Sequence, residues 1–76
     1  MGTMFVAYGD NIMIERQDQK DDTTVGKVVH SNDSSLKFGD IVLYDTYDAK
    51  EFNIGGGRKV DIVWRPKIRA ILIHKE

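Results

Sequence analysis

The chain contains no cysteine among its 76 residues, so neither a disulfide framework nor a thiolate metal site holds it together. It has one proline, Pro66, and no apolar run near the ~18 residues that a membrane-spanning helix requires. Neither sign of charge dominates: eleven basic side chains face twelve acidic ones, for a net charge of -1. That balance provides no broad attraction to nucleic acid or to an anionic membrane. The opening Met1-Gly2-Thr3-Met4 lacks the basic and apolar regions of a signal peptide. Val6 stands where a myristoylation motif needs Ser or Thr. These absences lead us to expect a soluble, cytoplasmic protein, with Met4 as an alternative start.

What is present is ordinary globular composition, 41% apolar and 30% charged, enough for one domain over residues 1–76. A chain this short buries only about 60% of its unfolded surface, so its own core is small. Without disulfides, association with further copies is the remaining common remedy. Charge is unevenly placed. Residues 1–40 hold four basic and seven acidic side chains, a sum of -3, whereas residues 41–76 hold seven and five, a sum of +2. The asymmetry suits head-to-tail contact between identical subunits, and scattered solvated charges are the plainer account.

Short β signals run along the chain. Met4–Ala7 is a brief apolar stretch, and Tyr8-Gly9-Asp10-Asn11 has turn composition. Ile12–Arg16 begins apolar and switches to charge. The stretch 17–24 has no apolar residue, which predicts a solvated loop. Val25–His30 is a strand, 31–35 a polar turn, and Ile41–Tyr44 a second strand. Lys50–Ile54 and Arg58–Arg65 flank Gly55-Gly56-Gly57, the pattern of a β-hairpin. In the second arm, alternation puts Val60, Ile62 and Trp64 on one face and Asp61, Val63 and Arg65 on the other. Pro66 interrupts pairing because it has no N–H to donate. Ile68–Ile73 is the last apolar run. Helical spacing persists nowhere for 10–12 residues. The expected fold is all-β, a small, partly open barrel.

The stretch Leu36-Lys37-Phe38-Gly39-Asp40-Ile41-Val42-Leu43-Tyr44 resembles a signature of the GroES-type co-chaperonins, an apolar-Lys-apolar-Gly-Asp turn that launches an aliphatic strand. Gly39 permits the tight turn, Asp40 bonds neighbouring N–H groups, and Ile41 and Leu43 share a face. Tyr8–Arg16 resembles the family's opening turn and first long strand. Gly26-Lys27-Val28-Val29 resembles the strand after its mobile loop, Tyr47 stands at a position often aromatic, Glu51–Ile54 resembles the arm before the last hairpin, and Ile68–Leu72 resembles the closing strand. The resemblance implies a GroES-like barrel whose copies form a ring of seven that caps a chaperonin and assists protein folding. It also implies that the first and last strands of neighbours pair, which maps to Met4, Phe5, Val6, Ala7 and Tyr8 and to Ile68, Ala70, Ile71, Leu72 and Ile73. Pairing of the two ends within one chain is the competing possibility.

The departures from the family bear on function. The mobile loop is reduced to Gln17–Val25, so the chaperonin-binding segment would be Asp21, Asp22, Thr23, Thr24 and Val25, with one aliphatic residue in place of the family's triplet. Two arms of about four residues reach roughly 13 Å at ~3.3 Å per residue. The roof hairpin is absent too, since 31–35 passes almost directly between strands. An alternative is therefore a GroES-like barrel reused, for example in a phage particle, as a structural or interaction module that binds no chaperonin. A small nucleic-acid-binding barrel is a third reading, supported by Arg58, Lys59, Arg65, Lys67 and Arg69 near Trp64; a core or interface tryptophan with a solvated basic rim is the plainer account.

No enzyme, metal or cofactor is expected. Gly55-Gly56-Gly57-Arg58-Lys59 is similar in composition to a phosphate loop but lacks the spacing and the following helix. His30 and His74 have no ligand-spaced partner, and His30 is expected to end a strand near solvent. Asp18, Asp21 and Asp22 miss the glycine and terminal glutamate of an EF-hand. Ser31, Ser34 and Ser35 have no base beside them.

Overall fold

Three consecutive apolar residues, Ile12-Met13-Ile14, buried on both faces and followed by charge, make the opening segment a strand that starts in a core and runs out of it. In the computed structural model, which describes residues 6–72, this strand is β1 (Asn11–Lys20). It is followed by β2 (Thr23–Ser31), β3 (Ile41–Asp45), β4 (Ala49–Gly55), β5 (Arg58–Trp64) and β6 (Ile68–Leu72). The six strands form one antiparallel sheet in the order β4-β5-β1-β2-β3-β6. Two single-turn 3-10 segments, Thr46–Asp48 and Arg65–Lys67, complete the regular structure of the described residues. The protein is all-β.

Those two short segments force the sheet to curl. Each connects strands four positions apart in the sheet, which in a flat sheet is about 19 Å at ~4.8 Å per step. From Asp45 to Ala49, or from Trp64 to Ile68, an extended chain covers at most about 14 Å. The sheet therefore rolls into a barrel-like shape, bringing both edges over one core. Ile12, Ile14, Val28, Leu36, Val42, Tyr44 and Val63 form that core, and Ala49 of β4 and Ile68 and Ile71 of β6 pack against it. A register shift in β6 opposite Leu43 and Tyr44 brings Ile68 and Ile71, three residues apart, both inward. The roll stays open: β4 and β6 do not pair with each other.

The turn at 36–40 forms as the sequence predicts. Gly39 adopts φ 95°, the Asp40 carboxylate accepts from the Lys37 N–H at 2.9 Å, and Gly39 N–H donates to the Val28 carbonyl at 2.8 Å. Val42 and Tyr44 fill the interior, while Ile41 and Leu43 share the outer face.

Two expectations are corrected. The polar stretch 17–24 is not a loop: β1 continues to Lys20, β2 begins at Thr23, and Asp21-Asp22 is a two-residue turn with Asp21 at φ 56°. Its strands extend beyond the core, so backbone pairing holds them without any apolar alternation. The described part of the amino-terminal segment, Val6–Tyr8, is not a strand; Met4 and Phe5 lie outside the described residues. Ala7 is instead held by side chains. Its N–H donates to His30 Nδ1 at 2.9 Å, and its carbonyl accepts from Asn32 Nδ2 at 3.0 Å. Ala7 thereby covers a second apolar cluster with Met13 and Val60, flanked by Val29, Ile54 and Ile62 on the barrel's outer side. His30 is accordingly half-buried under this segment and not simply near solvent.

Candidate functional site

At the hairpin end, β1 and β2 leave the core, and a buried polar cluster anchors their base. Arg16 of β1 makes a two-pronged contact with Asp61 of β5, Nε to Oδ2 at 3.0 Å and Nη2 to Oδ1 at 2.9 Å. The Tyr44 hydroxyl donates to the same Asp61 Oδ2 at 2.5 Å. Tyr44 and Asp61 are buried, and Arg16 reaches them from the rim. Gly26, opposite both Arg16 and Val42, gives Tyr44 the room to cross the barrel: a Cβ there would overlap the Ile14 Cγ2 methyl and lie 3.1 Å from the Tyr44 hydroxyl.

Burial, and then the bond to Asp61, push the Tyr44 phenol well above its ordinary range. The folded state thus favours the protonated form. Its contribution to stability is complete below the unfolded value of about 10 and is lost as pH rises beyond it. Thermal melts from pH 8 to 11 should show stability falling above about pH 10, with Tyr44→Phe flattening that fall. An equal slope in both proteins would refute this role for Tyr44.

Of the segment expected to meet a chaperonin, only Asp21 and Asp22 are fully at the surface. Thr24 is buried and shares a 2.7 Å hydrogen bond with Thr46, and the Asp22 carbonyl accepts from Thr46 N–H at 2.6 Å. The tip is thus fastened to the 3-10 turn after β3. Val25, half-buried, lines a shallow cleft of about 380 Å³ with Asp18, Lys20, Asp21, Thr23 and Leu43.

Register continues from this cleft across the outer wall. Val25, Leu43 and Ala70 lie in one cross-strand row, and Lys27, Ile41 and Leu72 in the next. The rows end at β6, which has β3 on one side and no strand on the other among the described residues. The expected assembly residues therefore divide. Ala70 and Leu72 are exposed at the edge, Leu72 at 61%, whereas Ile68 and Ile71 lean into the core. Val6 and Tyr8 are exposed, Ala7 is buried, and Ile73 lies outside the described residues with Met4 and Phe5.

The basic residues near Trp64 do not form a free cationic strip. Arg58 pairs with Glu15, Arg65 with Asp33, and Arg69 with Asp45. The Ser35 hydroxyl and N–H, reinforced by Arg65, hold the Asp33 carboxyl below its usual range. Trp64 is half-exposed. Among the described residues no group of three His, Asp or Glu side chains is placed to hold a metal, and no helix is long and apolar enough to cross a membrane.

Sequence reasoning missed Arg16, Gly26, Tyr44 and Asp61 as a unit. The available signal was Asp61, a lone carboxylate within the apolar run Val60–Trp64 and on the same face as Val63. No protein-family model matches this chain, and no curated protein matches it either.

Proposed function

We propose that the protein acts by assembly, its open barrels joining into a ring of the co-chaperonin type that caps a chaperonin and assists folding. The observation that carries this reading is the β6 edge, open among the described residues and continuous with the apolar rows ending at Ala70 and Leu72. An unpaired edge beside apolar surface favours strand addition, and head-to-tail addition of identical copies closes rings. The resemblance of Leu36–Tyr44 to the co-chaperonin signature supplies the family, seven copies and a cytoplasmic setting, the host's if the protein is viral. No catalytic step, cofactor, membrane or nucleic acid belongs to this reading.

Native mass spectrometry is expected to show about seven copies. Leu72→Glu, at an exposed position, should lower the mass to monomer with the melt nearly unchanged. A wild-type monomer at high concentration would exclude the ring.

A second reading, a structural or interaction module that binds no chaperonin, is favoured by the fastened hairpin tip with its lone half-buried valine. An aliphatic anchor contributes about 1.5–3 kcal/mol when fully buried, and one per copy needs simultaneous engagement around the ring. Retention of the ring by a chaperonin, with and without nucleotide, separates the two: binding under either condition supports the cap, and its absence under both supports the module.

A further inference from the structure

We propose that the cleft beside the β1–β2 turn receives the basic tip of the β4–β5 hairpin from a second copy of this chain. The inference rests on the ring reading and gives it a contact apart from the β6 edge.

The cleft has an apolar floor, Val25 and Leu43, and a rim of Asp18, Asp21 and Lys20, with Asp22 next to it at the turn. Among the described residues none of these three carboxylates has a cationic side chain in ion-pair contact. An apolar floor under a rim on which Asp18, Asp21 and Asp22 outnumber Lys20 fits a cation on an aliphatic stem, the chemistry of lysine and arginine. The chain supplies that chemistry at the tip of the β4–β5 hairpin. Among the described residues Lys59, which is exposed, has no carboxylate in contact, and its neighbour Arg58 is held at 3.3 Å by Glu15 alone.

Topology places the two surfaces for side-by-side contact. The β1–β5 register runs from Asn11↔Trp64 to Ile14↔Asp61, so Arg58 lies toward the same end of the barrel as the β1–β2 turn. The cleft is lined from β1, the β1–β2 turn, β2 and β3, and the basic tip belongs to β5, on the other side of β1 from β2 and β3. Among the described residues no ion pair joins Arg58 or Lys59 to Asp18, Asp21 or Asp22, so a copy's own tip does not fill its own cleft. Copies turned about an axis along the barrel present tip to cleft at one level, a heterologous contact that repeats around a ring. The charge difference between the two halves of the chain has the matching sense.

The test compares full-length wild type, Asp18→Lys and Lys59→Glu by native mass spectrometry and sedimentation velocity at low and high salt. Each substitution alone should weaken association about tenfold, the scale of a charge contact that salt screens. The double variant Asp18→Lys/Lys59→Glu should recover the wild-type oligomer. An equimolar mixture of the single variants should recover association, because every tip then meets a cleft of opposite charge on the other variant. The milder pair Asp18→Asn and Lys59→Gln should flatten the salt dependence without reversing charge, which guards against a folding defect. An oligomer indifferent to all these changes, or a double variant that fails to recover, overturns this contact and leaves the β6 ring standing. A wild-type monomer overturns both.

Discussion

Replacing Gly26 with alanine is expected to remove roughly 3 kcal/mol or more of stability, seen as a large drop in the urea midpoint. Overpacking a filled interior costs typically 1–3 kcal/mol, and Gly26 is at the severe end. The added methyl meets the Ile14 Cγ2 methyl on a fully buried side chain and the Glu15 carbonyl oxygen at 3.1 Å, which belongs to the paired strand. Neither gives way without parting β1 from β2. A domain of this size has about 4–11 kcal/mol in all, at roughly 0.05–0.15 kcal/mol per residue. Adding Ile14→Leu, which deletes the β-branch, should recover part of the loss. A Gly26→Ala protein with the wild-type midpoint would show that the strands are not packed as described.

Arg16→Met should cost about 3–5 kcal/mol at neutral pH, the usual result of removing one partner from a buried ion pair. The loss falls on Asp61, whose side chain is only 2% exposed and would keep Tyr44 as its sole side-chain partner. Tyr44→Phe should cost less, about 1–3 kcal/mol, because Arg16 still meets the carboxylate. Replacing all three polar groups together, as Arg16→Met/Tyr44→Phe/Asp61→Leu, should return most of the stability, since a well-packed apolar trio often equals a buried ionic one. Denaturant titration of the four proteins checks the order. Were Arg16→Met no worse than Tyr44→Phe, the pair would not be what anchors the hairpin base.

Both predictions concern the hairpin end, because the candidate surfaces are built on it. The cleft and the β1–β2 turn extend beyond the apolar core and keep their shape only if Arg16 and Gly26 fix the base and Thr46 fixes the tip. A flexible loop would order on binding; this hairpin offers its contacts already in place, with less entropy to lose and less freedom to adapt.

The strand content was largely legible because its signals are local. The glycines at 55–57 between two extended runs announced the β4–β5 hairpin, Leu36–Asp40 announced the turn into β3, and Pro66 marked the break before β6. Gln17–Thr24 was not legible, since solvated strands at the end of a barrel need no apolar alternation and their pairing is a property of the backbone. The role of Val6–Tyr8 was hidden too: Ala7 is held by His30 and Asn32, more than twenty residues away, and not by a ladder.

By itself the sequence determined a small all-β chain with no disulfide, a glycine turn before β3, and charge divided between its halves. Those follow from composition and from neighbours along the chain. Only the tertiary structure decided that the sheet curls with β4 and β6 left unpaired to each other, that Arg16, Tyr44 and Asp61 meet across 45 residues, and that Val25, Leu43 and Ala70 align toward an edge with no further strand among the described residues. The reason is physical. Two three-residue connections are too short for a flat sheet, and the curl they impose sets which distant side chains share an interior.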